Sequence, residues 1–213
     1  MTISPIDLAS LLCSRLCHDM LSPVGALSNG LELLAEEKDP EMRARCFELL
    51  EQSAKISADK LKFFRLAFGA AGGFGERVDV GEARQVIAAL AGGSGRITLN
   101  WAVRDPVLPK PAVKMLLNLA SIGMDALVRG GTLDIGAEVN GSASEIAVRA
   151  TGPRIAFDEN IGRALNGTLP PQDLSSRTAP AHMMYLLASQ AGGGVQYALG
   201  DDALVLGAVL PQG

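Results

Sequence analysis

The stretch LCHDMLSPVGAL, residues 16–27, sets one of only two histidines beside an aspartate, with a proline five positions later. The surrounding pattern is helical. Cys13, Leu16, Met20, Pro23, Leu27, Leu31 and Leu34 recur at alternating three- and four-residue spacing, which predicts a helix from Ser4 to Lys38 with a bundle seam. Ser4 and Pro5 supply an N-cap and a first helical residue, and Asp7 adds a favourable charge. Lys38-Asp39-Pro40 breaks the pattern and offers the next cap. Met42, Cys46, Leu49, Ser53, Ile56, Phe63 and Ala67 then mark a second helix, widened by Leu50, Leu61, Phe64 and Phe68. A link this short makes the two helices an antiparallel hairpin. Their apolar stripes are wider than a hairpin alone can cover, so a twofold dimer forming a four-helix bundle is expected, the alternative being that the stripe packs on the rest of the same chain.

Gly69-Ala-Ala-Gly-Gly-Phe-Gly75 is too glycine-rich for helix and predicts a hinge. Beyond it the texture changes. Strands are expected at Arg77–Val80, Arg96–Val103, Thr132–Val139, Glu145–Ala150, Val195–Leu199 and Ala203–Val209. Helices are expected at Gly81–Ala91, Pro111–Val128 and Ala179–Ala191, on one face of a mixed sheet. Residues 157–178, with Pro170-Pro171 and Asn166-Gly167, read as a long surface loop with room for one helical turn. The organisation is therefore a hairpin domain (1–70), a hinge (71–77) and an α/β sandwich (78–213).

The composition of this 213-residue chain narrows the function. Apolar residues make up 48% and charged residues 20%, enough for a core, and the net charge of −4 favours neither nucleic acid nor an anionic membrane. No apolar run is long enough to span a bilayer. Met1–Leu8 lacks the features of an export signal, and three cysteines are an odd number, so reduced thiols and a cytoplasmic protein are expected. Cys13, Cys17 and His18 are close in sequence, but a zinc site would need Cys46 and His182 from afar. The cysteines are instead expected to fill core positions, with no metal or cofactor bound by this chain.

On a helical wheel, Leu11, Ser14, Arg15, Ser22, Gly25 and Asn29 lie within about 60° of His18, while Leu16, Leu27 and Leu34 lie roughly opposite. His18 thus points away from the seam, either as an ordinary surface histidine or as a reactive one. Asp19 can hold the Nδ1 proton, leaving Nε2 as a nucleophile. Arg15 and Ser22, one turn to either side, can meet a phosphoryl group. Pro23 deprives the Asp19 carbonyl of its helical donor. Residue chemistry alone leaves both readings open.

His18-Asp19-x-x-x-Pro23 resembles the H-box of the dimerisation and phosphoacceptor domain of two-component histidine kinases. Leu117-Asn118-Leu119-Ala120-Ser121-Ile122 followed by Gly130-Gly131-Thr132 is similar to the N-box of their Bergerat-type ATPase domain, and Thr151-Gly152-Pro153 to part of a glycine box. The expected fold is thus α plus α/β, a dimerising hairpin followed by a Bergerat-like sandwich. The departures are informative. By this resemblance the magnesium-binding asparagine falls at Ile122, the adenine-reading aspartate at Ala150 and a glycine at Arg154, and Thr178-Ala-Pro-Ala-His182 lacks the final glycines.

A dimeric histidine-bearing hairpin joined to a degenerate ATPase domain resembles the ChpT-type histidine phosphotransferases of alphaproteobacteria. That resemblance implies that His18 relays a phosphoryl group from the receiver domain of a hybrid kinase to receiver domains of response regulators controlling the cell cycle. Magnesium would belong to the receiver. The alternatives are an ATP-dependent histidine kinase and a non-catalytic scaffold for receivers. Counting from the turn places Lys60 near His18, with Lys62, Phe63 and Phe64 close by; the lysines can offset phosphate charge, and the phenylalanines belong to the core. Leu21 is the apolar residue placed to touch a receiver. His182 is expected to be structural, and Arg154 and Arg177 carry no assigned role.

Overall fold

The computed structural model describes residues 3–69, 76–93 and 95–211. Two long helices come first, α1 (Pro5–Glu36) and α2 (Pro40–Ala67). Their caps are the expected ones: the Ser4 side chain accepts from the Asp7 amide, and Asp39 accepts from the amides of Glu41 and Met42. No basic residue lies in the last turn of α1. Arg43 of α2 serves there instead, donating to the carbonyls of Leu34 and Glu37 at 2.8 and 2.9 Å. The helices approach closely at Gly30, where a Cβ would lie 2.9 Å from Leu50 Cδ2.

The single expected seam of α1 divides in two. Leu16 and Met20 pack on the core, and Pro23 and Gly30 are buried. Cys13 and Leu31 face solvent with Cys17, Ile6 and Val24. The α2 stripe divides likewise, with Cys46, Phe63 and Ala67 buried and Phe47, Leu49 and Leu61 exposed. Of the three cysteines expected in the core, only Cys46 is there, because among the described residues α1 packs on α2 and α6 and leaves the face of Cys13 and Cys17 uncovered.

The expected hinge at 71–77 falls largely outside the described residues. Past it, β1 (Arg77–Asp79) leads into α3 (Val80–Gly92), followed by β2 (Ile97–Trp101), β3 (Val107–Pro109) and α4 (Lys110–Ala126). Next come β4 (Gly131–Asn140), β5 (Ala143–Thr151), α5 (Glu159–Leu165), α6 (Ala179–Gln190), β6 (Gly194–Leu199) and β7 (Ala203–Pro211). The main sheet has the order β2-β4-β5-β7-β6, with β2 parallel to β4 and the other pairs antiparallel. A separate ribbon pairs β1 with β3, a strand too short to show any periodicity in the sequence.

Strict alternation gives the sheet one buried face. Ile135 pairs with Val148 and Val148 with Leu206, all at most 1% exposed, under α4 and α6. Glu138 and Val205 lie on the opposite, accessible face. The helices therefore do cover one face only. The reading of 157–178 as a surface loop with one helical turn fails on extent and burial. It holds α5 and a 3-10 turn at Pro171–Asp173, and it buries Ile161, Ala164, Leu165, Leu169 and Leu174. Its apolar residues are too few and too irregularly spaced to signal burial, and the neighbouring α6 supplies the surface they need. Phe63, Phe64, Leu66 and Ala67 of α2 join the same core, so the base of the hairpin packs on the α/β layer through α3 and α4.

His182 is 9% exposed, its Nδ1 has no partner among the described residues, and burial lowers its pKa below the usual histidine value. The unfolded chain therefore takes up this proton first as pH falls. The penalty is absent above about pH 6.5 and complete once pH is below the folded-state value. Thermal melts from pH 7.5 to 5 should show wild type losing stability more steeply than His182→Gln. Parallel curves would exclude His182 as the cause.

Candidate functional site

His18 stands on α1 with 81% of its side chain accessible, and its Nδ1 lies 3.1 Å from Asp19 Oδ1. Nε2 makes no hydrogen bond to any described residue. Asp19 is held from behind: its Oδ2 accepts from Arg15 Nε at 2.6 Å, and only 19% of its side chain is accessible. Helical spacing of i and i+4 puts Arg15 under Asp19 rather than under the ring. Arg15 thus engages Asp19, not the place a phosphoryl group would occupy. Ser22, one turn on, is exposed and makes no hydrogen bond among the described residues.

Pro23 has the effect its chemistry requires. The Asp19 carbonyl loses its helical donor four residues on, and Lys60 Nζ of α2 fills the gap at 2.7 Å. This contact confirms the level assignment made by counting from the turn. Lys62 is not part of the group; its Nζ lies 3.8 Å from Asp59 on its own helix. Lys60→Met should leave the Asp19 carbonyl without a partner and cost about 1–2 kcal/mol in denaturant unfolding. An unchanged midpoint would show that the bond contributes nothing.

The site also has a wall that sequence reasoning missed. Asp125, near the end of α4, reaches Arg15 Nη2 at 3.4 Å. A crevice between hairpin and α/β layer is lined by Arg15, Asp19, Phe63, Phe64, Ser121 and Asp125. Arg177 borders its neighbouring part and also lies 3.7 Å from Asp158. Desolvation by the crowding crevice walls, which leave the side chain largely accessible, raises the Asp125 pKa above the usual aspartate value; Arg15 opposes this, Asp19 adds to it, and Arg177 opposes it. Solvent screens these charges, since 63% of the side chain is accessible. Only an unremarkable acidic position within a predicted helix marked Asp125 in the sequence. Phe63, Phe64 and Phe68 form the crevice's aromatic side, with ring centroids 5.7 to 6.3 Å apart.

The remaining positions singled out in the sequence lie elsewhere. Leu21 is 70% exposed on α1. Ile122 and Ala150 are buried at 9% and 0%. α4 meets the sheet so closely beside them that a Cβ on Gly123 would lie 2.8 Å from Leu133 Cδ1 and 3.8 Å from Ala150 Cβ. Asn118 is also buried, and its Nδ2 donates to the Lys114 carbonyl of its own helix. Arg154 is exposed. Among the described residues no three histidine, cysteine, aspartate or glutamate side chains converge as metal ligands, and no helix is long and apolar enough to cross a membrane.

Known proteins resemble this chain in sequence and fold. Residues 80–203 match the family described as the histidine phosphotransferase C-terminal domain. The chain is 35% identical over 191 residues to the protein phosphotransferase ChpT of Brucella abortus (strain 2308), covering 90% of each. It superposes on the structure of a bacterial phosphotransferase with a TM-score of 0.85 and 32% identity, covering 98% of both chains. A histidine kinase domain from Erythrobacter litoralis, 12% identical, matches with a TM-score of 0.50 over 88% of this chain and 95% of that one, a likeness of fold. The helices and mixed sheet are thus an α+β fold of the kind seen in histidine kinases. The chain belongs to the histidine phosphotransferase family and is a phosphotransferase of phosphorelay signalling.

Proposed function

We propose that His18 is the phosphoacceptor, taking a phosphoryl group from the receiver domain of a hybrid histidine kinase and passing it to receiver domains of response regulators. One observation carries this reading: a largely accessible imidazole whose Nδ1 is engaged by Asp19, leaving Nε2 without a hydrogen bond to the described residues. The Nε2 lone pair attacks phosphorus, and the bond from phosphorus to the receiver aspartate breaks, releasing that carboxylate. The positive charge left on the ring is met by Asp19, which accepts the Nδ1 hydrogen bond. The return step reverses these bonds on the next receiver. Leu21 and Ser22 supply surface beside the ring for docking, Lys60 supplies positive charge from α2, and Lys62 offers a more distant one. Magnesium is contributed by the receiver.

ATP is not the phosphate source in this reading. Ile122, Ala150 and Arg154 replace the polar or small groups that a nucleotide and its metal require, and the first two are packed into the core. The chain works as a hairpin phosphoacceptor unit followed by an ATPase-like unit without ATP. Its three free cysteines fit a cytoplasmic setting. The test is to incubate the protein separately with labelled ATP and with a labelled phosphorylated receiver. Acid-labile label only from the receiver supports the relay. Label from ATP would indicate a kinase, and label from neither a receiver-binding scaffold.

The active form we propose is a homodimer. Ile6, Cys13, Cys17, Val24 and Leu31 fall within about 60° of one another on α1, away from α2, and remain exposed. Phe47 and Leu61 extend apolar surface along α2. Pairing two hairpins through these stripes makes a four-helix bundle. Sedimentation should give twice the chain mass for wild type and the single mass for Val24→Asp. A monomeric wild type at micromolar concentration would overturn the dimer.

A further inference from the structure

We propose that Asp125 is a positioning residue for phosphotransfer: from the α/β layer it steadies Arg15, which in turn fixes Asp19 against the His18 ring. The proposal deepens the relay reading and rests on His18 being the phosphoacceptor. Residues 110 positions apart form one continuous line, from Asp125 Oδ2 through Arg15 Nη2 at 3.4 Å and Arg15 Nε to Asp19 Oδ2 at 2.6 Å, then from Asp19 Oδ1 to His18 Nδ1 at 3.1 Å.

The two carboxylates would repel each other without the guanidinium between them. Arg15 offers separate nitrogens in a rigid plane, so holding it at two points sets the plane's orientation as a single contact cannot. A guanidinium fully committed to Asp19 would also draw negative charge away from the atom facing the ring. Asp125 takes up part of that positive charge and leaves Asp19 a better acceptor for the Nδ1 proton. Arg177 also acts on Asp125 but lies against Asp158, while Lys60 is bonded to the Asp19 carbonyl. Among the described residues, Arg15 is the only cation that bonds both carboxylate side chains. The consequence is functional: the ATPase-like layer, though it need not hold ATP, takes part in setting the tautomer of a histidine on the hairpin.

The test compares wild type with Asp125→Asn, Asp125→Ala and Asp125→Glu. Two readouts apply: single-turnover transfer from a phosphorylated receiver, and the nitrogen NMR spectrum of the His18 ring in the full chain. Asp125→Asn and Asp125→Ala should slow the transfer step about tenfold at saturating receiver, with the half-saturating concentration unchanged. Both should shift the ring away from the Nδ1–H tautomer, and Asp125→Glu should restore rate and spectrum, since a longer carboxylate still reaches Arg15. Unchanged rate and spectrum in the asparagine variant would overturn the proposal. So would a slower rate with an unaltered ring spectrum, or one that glutamate does not rescue, since either marks a purely structural contact. The ring spectrum needs no receiver. If wild type takes no phosphate, the relay reading fails while the spectrum still shows whether Asp125 governs the ring.

Discussion

His18→Gln should take no acid-labile phosphate from a phosphorylated receiver under conditions where wild type is labelled. Glutamine keeps a polar, hydrogen-bonding side chain on the exposed face of α1, so neither helix nor core should suffer; 81% of the histidine side chain is accessible. It has no nitrogen lone pair able to attack phosphorus, because the amide nitrogen's pair is delocalised into the carbonyl. The expected loss is at least about 10³-fold, the scale on which removal of a covalent nucleophile acts. Labelling at a wild-type rate would place the acceptor elsewhere in the chain. His182 could not substitute without exposure, as it is 9% accessible.

Asp19→Asn should be the next most damaging change, slowing transfer about 10²-fold with little effect on receiver affinity. The side chain keeps its shape but alters what it offers the ring. A carboxylate can only accept, so it selects the tautomer with hydrogen on Nδ1 and a lone pair on Nε2. An amide can turn its NH₂ toward Nδ1 and select the opposite tautomer, which places hydrogen on the attacking atom. The change also removes the anion beneath Arg15, whose Nε lies 2.6 Å away. Nitrogen NMR of the ring should report the tautomer change directly. A transfer rate within threefold of wild type would show that Asp19 does not prepare the nucleophile.

The central pair of the site was legible before any coordinates. His18 and Asp19 are adjacent, and Pro23 follows at helical spacing, so their relation depends on local geometry alone. Lys60 was reachable too, since an antiparallel hairpin with a known turn sets which residues are level. Lys62 shows the limit of that count: two positions along a helix turn a side chain about 200°, toward Asp59 rather than the site. Residues 157–178 show another limit, because their burial depends on the surface of α6, which no pattern within the segment reveals.

Sequence by itself determined the hairpin, its caps, the alternation of the sheet strands and the adjacency of His18 and Asp19 on one helix. Each follows from residues near one another in the chain or from a recognisable motif. Tertiary structure alone decided which stripe of α1 is buried and which stays open, and it alone brought Asp125 to Arg15 across 110 positions. Periodicity specifies a face but not what meets it. The facing surface comes from distant segments, and only their packing around a shared core sets its place.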